Sequence, residues 1–442
     1  MQRRFRLHPI STRLMIVCVA AVSLIGGASA AESPTDELAN VRPALPQIPE
    51  RTFSLTDFGG VGDGKTWNTD AFSKSIAKIK EEGGGRLVVP QGVFLTRPFT
   101  LCSNLDLHLD EGAVIQAPTS FTDYGLPEPE TLITQDEVRE KVKVPSPLVT
   151  GKDLHDLAIT GKGVIDGAGA IWWAWSERAS RRQPGRLVYP RQRLVVIDGC
   201  ERLHVEGITL RNSPNFHLVP TKITNLLIEG VKVQAPEDAP NTDAIDPTSC
   251  TNVLIRDCDI DTGDDDIVIK TAGSNILIED CRIRHGHGIS IGSGTTGGIR
   301  DMLVRHCTFE NTDNGIRIKS MRGAGGPVEH IRYTDIQMKD VKNAIVLDLT
   351  YTDNNRPNFR GDATKVPSIQ DVEIANLTIE GAQNAGRFVG LPDSPIGRVT
   401  LRNVTITADK DFVQKDADAV EFENVTKTIN KDAAQRGPAK IE

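Results

Sequence analysis

A short pattern of apolar residues recurs along the second half of the chain at intervals of about 23–28 residues. Each copy has two aliphatic residues separated by one residue of any kind. One or two polar residues and a small residue follow. The small residues of the five clearest copies are Gly207, Gly230, Cys258, Cys281 and Cys307. Weaker copies follow at 372–374 and 399–401. A repeat of 20–50 residues is the signature of a solenoid, in which each unit packs only against its neighbours.

The alternation within each copy has period two, and β-branched residues are frequent, which favours strands over helices. The unit is too short to hold a strand and a long helix. We therefore predict an all-β fold, a parallel β-helix with three or four short strands per turn and coils ~4.8 Å apart. A β-sandwich or a propeller is the alternative, but neither requires the register of the repeat to persist.

The first part of the chain differs from the repeat. A glycine-rich loop at 57–64 precedes a predicted helix from Asp70 to about Glu81, with Thr69 as its cap. Strands are expected within 83–95. No strong strand precedes the loop, so we expect the helix to cover the open end of the solenoid rather than the loop to bind phosphate.

The chain begins with a predicted signal peptide at residues 1–30. A basic start is followed by an apolar run from Leu14 to Ile25, and Ala28-Ser29-Ala30 fits the small-x-small rule for cleavage. A retained anchor is the alternative. We expect export to the periplasm or outside the cell, with no later segment able to cross a bilayer.

We divide the remaining chain into an N-terminal arm (31–50), a single β-helix domain (51–425) and a polar C-terminal tail (426–442) that frays. Signal cleavage removes four arginines and changes the net charge from −8 to about −12. Such an acidic protein does not suit nucleic acid, and we expect a monomer. An anionic substrate would have to be attracted by local cations.

Six cysteines remain after signal cleavage, and three of them share one position of the repeat. This predicts mostly free, buried thiols, although an exported chain can also form disulfides. CxxC and HxxxH spacings are absent from the sequence, so we predict neither a metal site nor a cofactor.

Four short polar clusters lie on the same apolar frame between residues 241 and 319. They are Asn241-Thr242-Asp243, Gly263-Asp264-Asp265, Gly286-His287-Gly288 and Arg317-Ile318-Lys319. Asp243, Asp265 and His287 each stand two positions before an isoleucine. These isoleucines and Ile316, which precedes Arg317, are spaced by 22, 22 and 27 residues. Polar groups at one phase of a repeat are stacked in space, so we predict a ladder on adjacent coils.

The stacked groups suit hydrolysis of a glycosidic bond, which needs one carboxylic acid and one carboxylate. Crowded carboxylates cannot all ionise easily, so one pKa should rise. His287 is expected to tune the shared proton. Arg317 and Lys319 share one strand face and would either grip a substrate carboxylate or simply neutralise the acids.

Other residues near the clusters receive less specific predictions. His217 either lines the cleft or caps a turn. Asp246 and Asp266 are expected to alternate away from the cleft, as hydrogen-bonded coil partners. The tryptophans at 172, 173 and 175 are expected to pack a loop against the solenoid. Segments 115–148 and 172–190 are long enough to close the cleft.

The four clusters, in this order and spacing, resemble glycoside hydrolase family 28, the polygalacturonases. The resemblance extends over roughly residues 52–405. It implies a right-handed β-helix that hydrolyses α-1,4 bonds between galacturonates in pectin, with inversion and without a metal. Two departures are Ala244, where the family often has glycine, and Asp266, where it commonly has cysteine or asparagine; if Asp266 faced the cleft, it would raise the pKa of the acid.

Carried over by position, the resemblance assigns a role to each residue of the clusters. Asp264 would be the general acid, while Asp243 and Asp265 would activate the water. His287 would support the protonation of the acid. Arg317 and Lys319 would bind the carboxylate of galacturonate, and Tyr351 matches a substrate-binding tyrosine of the family less closely. From their place beside the clusters, Asn241 and, with less support, His217 are also predicted to bind substrate.

Two other classes of protein remain open at this point. One is a non-catalytic sugar-binding β-helix, which needs no proton-sharing acid pair. The other is a pectate lyase, which would need calcium and a basic group. The sequence leaves internal and terminal cleavage of the polymer equally open.

Overall fold

The computed structural model describes residues 38–351, 362 and 364–430. These residues form 28 strands that pair in parallel. The pairings define three sheets that run along one rod, the solenoid. Each coil contributes a strand to each sheet in turn, so the predicted parallel β-helix is confirmed. Among the described residues, no helix has the length and apolar character needed to span a bilayer.

The strands fall into four groups. The first sheet alone contains Phe99–Thr100, Val149–Leu154, Ile289–Ile291, Asn314–Lys319, Asn343–Asp348 and Val413–Lys415. The second alone contains Thr52–Ser54, Gly85–Val89, Leu105–Leu109, Leu157–Gly161 and Gly298–Arg305. The third alone contains Asp63–Trp67, Gly92–Leu95, Ala113–Gln116, Val164–Asp166, Thr209–Arg211, Lys232–Gln234, Asp259–Thr262, Arg282–His285 and Thr308–Glu310. Bent strands that pass between sheets are Val195–Glu206, Leu218–Glu229, Thr248–Arg256, Ile267–Glu279, Pro327–Lys339, Ser368–Val389, Val399–Lys410 and Val420–Ile429.

The repeat read from the sequence is the register of the second sheet. The first aliphatic residues of its five clear copies pair in order: Leu203, Leu226, Val253, Ile276 and Met302. The weaker copies at Val372 and Val399 also pair with each other. The sequence pattern missed the coil between these groups, Ile331–Tyr333, because a buried tyrosine replaces an aliphatic residue there.

The interior contains stacked aliphatic side chains and the cysteines. All six cysteines of the described residues are free and buried, so the prediction of free thiols is confirmed. Cys258, Cys281 and Cys307 each donate a hydrogen bond to the carbonyl oxygen two residues earlier, at 3.3 Å. The shared repeat position thus reflects one small, weakly polar site on each coil.

A helix at Thr69–Glu81 covers the N-terminal end of the rod, as predicted. Its apolar face buries Phe72, Ile76 and Ile79, and Phe72 stacks on Phe99 with ring centroids 4.3 Å apart. Each such side chain contributes roughly 1.5–3 kcal/mol by leaving water. The predicted cap is wrong by one residue, because Asn68 is the N-cap and Thr69 begins the helix.

The other helices are short and lie between strands. They are the 3₁₀-helices Leu55–Phe58, Thr122–Tyr124 and Pro129–Thr131, and the α-helices Gln135–Lys141, Ala170–Trp173 and Glu177–Arg182. A capping box fixes the start of Gln135–Lys141, since the Thr134 hydroxyl accepts from Glu137 N and the Glu137 carboxylate accepts from Thr134 N.

Part of the predicted N-terminal arm lies on the outer face of the second sheet. Leu38 and Val41 pack on a stripe formed by Leu227, Leu254, Leu277 and Leu303, one from each of four successive coils. Farther along the arm, backbone N–H groups donate to two side chains of the rod, Asn225 and Asp156. The arm therefore covers an apolar surface that the solenoid leaves open.

The two ends of the chain meet the predicted boundaries differently. The signal peptide predicted at 1–30 lies outside the described residues. The last strand continues to Ile429, so the predicted domain boundary at 425 is wrong, because four residues assigned to the tail pair within the sheet. The tail beyond 430 also lies outside the described residues.

Candidate active site

The polar clusters come together on the outer face of the first sheet. Ile245, Ile267, Ile289 and Ile316 pair in sequence on consecutive coils. Their side chains are buried in the core. The two acids and the histidine precede these isoleucines, in the turns that lead into the strands. Ala244 N donates to the carbonyl oxygen of Asp265, and His287 N donates to that of Asp264. Consecutive coils therefore place these turns side by side, and the predicted ladder is present.

Two glycines hold His287 in place. Gly286 has φ 63° and Gly288 has φ 72°, both in the left-handed region. A Cβ on Gly288 would lie 2.1 Å from the carbonyl oxygen of Asn314 on the next coil. The turn lets His287 N donate to the carbonyl oxygen of Asp264 at 2.7 Å. It also places His287 Nδ1 3.0 Å from Asp264 Oδ1.

Asp264 is the acid most open to the cleft. Its side chain is 20% exposed, whereas those of Asp243 and Asp265 are each 4% exposed. Burial acts to raise the pKa of Asp264, but the hydrogen bond and charge of His287 outweigh it and leave the pKa below its usual value. Only this carboxyl group of the three is placed to reach a bound sugar directly.

Asp265 is paired with both cations of the fourth cluster. It accepts from Lys319 Nζ at 2.8 Å, from Ser290 Oγ at 3.0 Å, and from Arg317 Nη2. Burial alone would raise the pKa of Asp265, but Arg317 and Lys319 hold it far below the usual range. Without a substrate, the two cations thus neutralise an acid, which is one of the two roles considered from the sequence.

Asp243 is bonded to a cation that the sequence analysis did not identify. Lys270 Nζ lies 3.0 Å from Asp243 Oδ2 and 2.7 Å from Asp246 Oδ2. Burial raises the pKa of Asp243 well above its usual value, although Lys270 opposes the rise. Burial also raises the pKa of Asp246 to about 6. The sequence predicted that crowding of the acids would raise one pKa. The main cause is instead burial, and the raised pKa is that of Asp243 rather than that of Asp264.

The prediction that Asp246 alternates away from the cleft side is wrong. Asp246 follows Ile245 as Arg317 follows Ile316, so both point outward. Lys270 stands three positions after Ile267, as Lys319 stands after Ile316. The positions of Asp246 and Lys270 relative to these isoleucines therefore indicated that both side chains face the cleft side of the sheet.

Two further predictions concern buried residues. Asp266 faces inward, as expected, and accepts from Gly288 N at 2.8 Å and Thr262 Oγ1 at 3.2 Å; it therefore lies away from the cleft. His217 is fully buried. Its Nε2 accepts from Ser213 N at 3.2 Å, and burial lowers its pKa to about 4. His217 caps a turn, so the prediction that it binds substrate is wrong.

The residues predicted to bind substrate more peripherally do line the cleft. Asn241 donates to Asp264 Oδ2 at 3.5 Å and accepts from Arg191 Nη2 at 2.7 Å. Arg191 also donates to the carbonyl oxygens of Pro214 and Pro240. The ring of Tyr351 lies with its centroid 5.4 Å from Lys319 Nζ.

The cleft encloses about 720 Å³ and is bounded on one side by the two long segments, 115–148 and 172–190, which we call the wall. The residues that bring the wall to the cleft are Val144, Pro145, Pro147, Glu177, Arg181, Val188, Tyr189 and Pro190. The wall segments run into the strands Val149–Leu154 and Val195–Glu206, which precede the Asp243 coil in the first sheet. The wall therefore stands toward the N-terminal end of the cleft.

The wall has its own apolar core. Trp172 is fully buried and meets Phe121 edge-on at 4.7 Å, and Phe121 meets Tyr189 at 5.2 Å. Trp173 Nε1 donates to the carbonyl oxygen of Ser213 on the solenoid. The prediction that the tryptophans pack a loop against the rod is confirmed.

The site brings together three acids with different surroundings. Asp264 is partly exposed and contacts His287, Asp265 is buried and ionised, and Asp243 is buried with a raised pKa. The cations Arg317 and Lys319 lie at the floor of the cleft. The atoms of Asp264, Asp265 and His287 also lie within 4.8 Å of one another, a spacing that a metal ion would tolerate. A chelator is therefore needed in any test of the chemistry.

A family model described as glycosyl hydrolases family 28 matches residues 82–429. The chain belongs to glycosyl hydrolase family 28. The prediction of the family, and with it of a right-handed β-helix and a glycoside hydrolase, is confirmed.

Family 28 relatives match most of the chain. A probable polygalacturonase of Vitis vinifera is 33% identical over 370 residues, 80% of this chain and 74% of the relative. An endo-polygalacturonase of Pectobacterium parmentieri is 30% identical over 72% of this chain and 78% of its own. The crystal structure of a hyperthermoactive exopolygalacturonase from Thermotoga maritima has a TM-score of 0.75 at 29% identity, covering 89% of this chain and 95% of that one.

Proposed function

We propose that this family 28 enzyme is a polygalacturonase that hydrolyses α-1,4 bonds between galacturonates of pectin by an inverting mechanism. The proposal is supported by the arrangement of side chains at the floor of the cleft, where Asp264 faces solvent beside Asp265, Arg317 and Lys319. Such a site offers a proton to a leaving oxygen and positive charge to a carboxylated sugar.

Asp264 acts as the general acid through its contact with His287. The 3.0 Å separation lets the carboxyl and the imidazole share one proton. When a sugar displaces water from the cleft, the neutral forms of both groups are favoured because charges lose solvation. Asp264 then protonates the leaving oxygen. After the product leaves, His287 takes up a proton from solvent and is placed to pass it to Asp264.

Asp243 and Asp265 activate the water on the other side of the bond. Asp265 is ionised, and its hydrogen bonds fix its orientation. A galacturonate carboxylate competes with Asp265 for Arg317 and Lys319, with Asn241 and Tyr351 bounding the same cleft. Substrate binding therefore frees Asp265 from part of its pairing as the water arrives.

The test is incubation of the protein with polygalacturonate and a chelator. We expect new reducing ends without ultraviolet absorbance, and a product of inverted anomeric configuration by NMR. Unsaturated, absorbing products that vanish with the chelator would instead indicate a lyase. Sugar binding without any product, unchanged by Asp264→Asn, would indicate a binding module.

The wall favours cleavage from one end of the polymer. It stands toward the N-terminal end of the cleft on a packed core, so we expect a polymer lying along successive coils to meet it. We expect monomer or dimer as the earliest product. Early oligomers of mixed length would show that the polymer passes the wall.

We also propose that the enzyme is exported and acts as a monomer in the periplasm or outside the cell. The basic start, apolar run and Ala28-Ser29-Ala30 support export. Sequencing of the mature N-terminus should begin at Ala31, and light scattering should give the mass of one chain. A start at Met1 in a membrane fraction would indicate a retained anchor.

A further inference from the structure

We propose that Lys270 and Asp246 are positioning residues that set the charge and orientation of Asp243 from beneath the cleft. The proposal rests on the polygalacturonase function proposed above, since it concerns the water-activating side of that reaction. It assigns a task to a buried ion cluster that the four motifs do not contain.

The geometry makes Lys270 the shared partner of the two acids. Its Nζ bridges Asp243 Oδ2 at 3.0 Å and Asp246 Oδ2 at 2.7 Å. The other oxygen of each carboxylate is buried and has no hydrogen-bond partner within the described part of the chain. Lys270 thus fixes one oxygen of Asp243 and leaves the other, which is buried, free to accept a hydrogen bond from the attacking water.

The surroundings keep the lysine in this place. Phe216 lies on the coil before that of Asp243, and Lys270 Nζ is 4.2 Å from the centroid of its ring. Asp243 and Asp246 raise the pKa of Lys270 against the effect of burial, so it remains charged. A charged amine held between two acids and a ring cannot turn away without leaving a buried charge unpaired.

The charge on Asp243 depends on opposing neighbours. Burial, Asp246, Asp264 and Asp265 oppose its ionisation, and Lys270 favours it. Two arginines from the wall side act in the same sense as Lys270: Arg191 favours ionisation of Asp243, and Arg193 favours ionisation of Asp246. Asp246 competes with Asp243 for the positive charge of Lys270. The opposing effects of Asp246 and Lys270 therefore set the pH at which Asp243 loses its proton and can act as a base.

Two substitutions should therefore move the pH profile in opposite directions. Lys270→Met removes the favourable charge, so the acidic limb of kcat/KM should move to higher pH. Asp246→Asn removes a like charge and leaves Lys270 to Asp243 alone, so the limb should move to lower pH. Each shift should be about one pH unit or more, as for charges at this distance.

The experiment measures kcat/KM against pH on polygalacturonate for the wild type, both variants and Lys270→Arg. Lys222→Met is the matched control, because Lys222 pairs with Asp198 at 3.1 Å on the exposed surface, and its profile should match the wild type. Lys270→Arg should restore most of the profile that Lys270→Met loses.

A second readout does not depend on activity. NMR titration of ¹³C-labelled aspartate in the folded protein follows Asp243 directly, and Asp246→Asn should lower its pKa. Asp246→Asn removes a buried charge, so it tests the proposal even if Lys270→Met fails to fold. Unmoved limbs, or shifts of both variants in the same direction, would overturn it. An inactive wild type with the expected NMR shift would instead reject the proposed function.

Discussion

At the residue scale, the site is a set of buried acids, each matched to a particular cation. Asp265 has Arg317 and Lys319, and Asp243 has Lys270. Burying a carboxylate is costly unless it is paired and hydrogen-bonded. The acid that faces the cleft, Asp264, is in contact with a histidine instead, with His287 Nδ1 3.0 Å from Asp264 Oδ1. This division suits a pair of acids with different tasks.

The first prediction concerns Asp264. Asp264→Asn keeps the shape of the side chain but removes the proton donor, so kcat on polygalacturonate should fall about 10²–10⁴-fold. The melting temperature should change little, because the side chain is partly exposed. Reducing-end assays and a thermal melt check both. Retention of wild-type kcat would remove Asp264 from the mechanism.

The second prediction concerns stability and Asp246. Burial raises its pKa to about 6 in the folded protein, above the ordinary value of an aspartate, so the folded state holds the proton more tightly. Stability is then lost as pH rises from about 4 to 6. Asp246→Asn should remove this loss, on the order of 1–3 kcal/mol at pH 7–8. Denaturant unfolding at pH 4 and pH 8 measures it. A difference between variant and wild type that is independent of pH would contradict the linkage.

At the element scale, two irregular parts complete the solenoid: the wall over the cleft and the arm over the leucine stripe. Both bury apolar side chains that the repeat leaves exposed. The sequence indicated that the wall segments are long and that the tryptophans pack. Their path could not be predicted, because it depends on distant pairs such as Phe121 with Tyr189.

The third prediction tests the arm. Replacing both Leu38 and Val41 by serine should expose the leucine stripe and lower the free energy of unfolding by roughly 3–6 kcal/mol, since each side chain contributes about 1.5–3 kcal/mol. Polygalacturonate hydrolysis at low temperature should persist, because the cleft lies on another sheet. Denaturant melts and activity assays check both results.

Exposed Leu45→Ser in the same arm is the control, as its side chain is already open to solvent. It should unfold like the wild type. If the double variant also does so, the arm does not stabilise the rod.

The fourth prediction tests the wall. Trp172→Ala removes the centre of its core and should cost the wall about 3–5 kcal/mol. We expect longer early products from polygalacturonate, because a loosened wall no longer blocks the end of the cleft. Chromatographic sizing of products at low conversion is the measurement. A product pattern identical to that of the wild type would separate the wall from the mode of cleavage.

At the scale of the whole molecule, most of the architecture could be predicted because a β-helix repeats one local arrangement. The isoleucine spacing fixed the order of coils around the site, and the small residues marked the interior cysteines. The errors fall where one coil differs from the next. His217 is buried by the turn at 212–217, and Asp246 was placed by alternation counted from the wrong side. Lys270 was missed because it lies outside the four polar clusters, although it stands as far from Ile267 as Lys319 does from Ile316.

The fifth prediction concerns the whole chain in its redox environment. All six thiols of the described residues are free and buried, so a reducing agent should leave the melting temperature unchanged. An aromatic disulfide reagent should label no thiol in the native mature protein and six after denaturation. A fall in melting temperature on reduction would indicate a disulfide.

The docking of the arm has a practical consequence for handling this enzyme. Leu38 rests about half-way along the second sheet, on a side of the rod away from the sugar-binding face. An affinity tag or fusion partner joined upstream of this residue would thus be attached near the middle of the rod. Immobilisation through such a tag should leave the entrance for long polymers unobstructed.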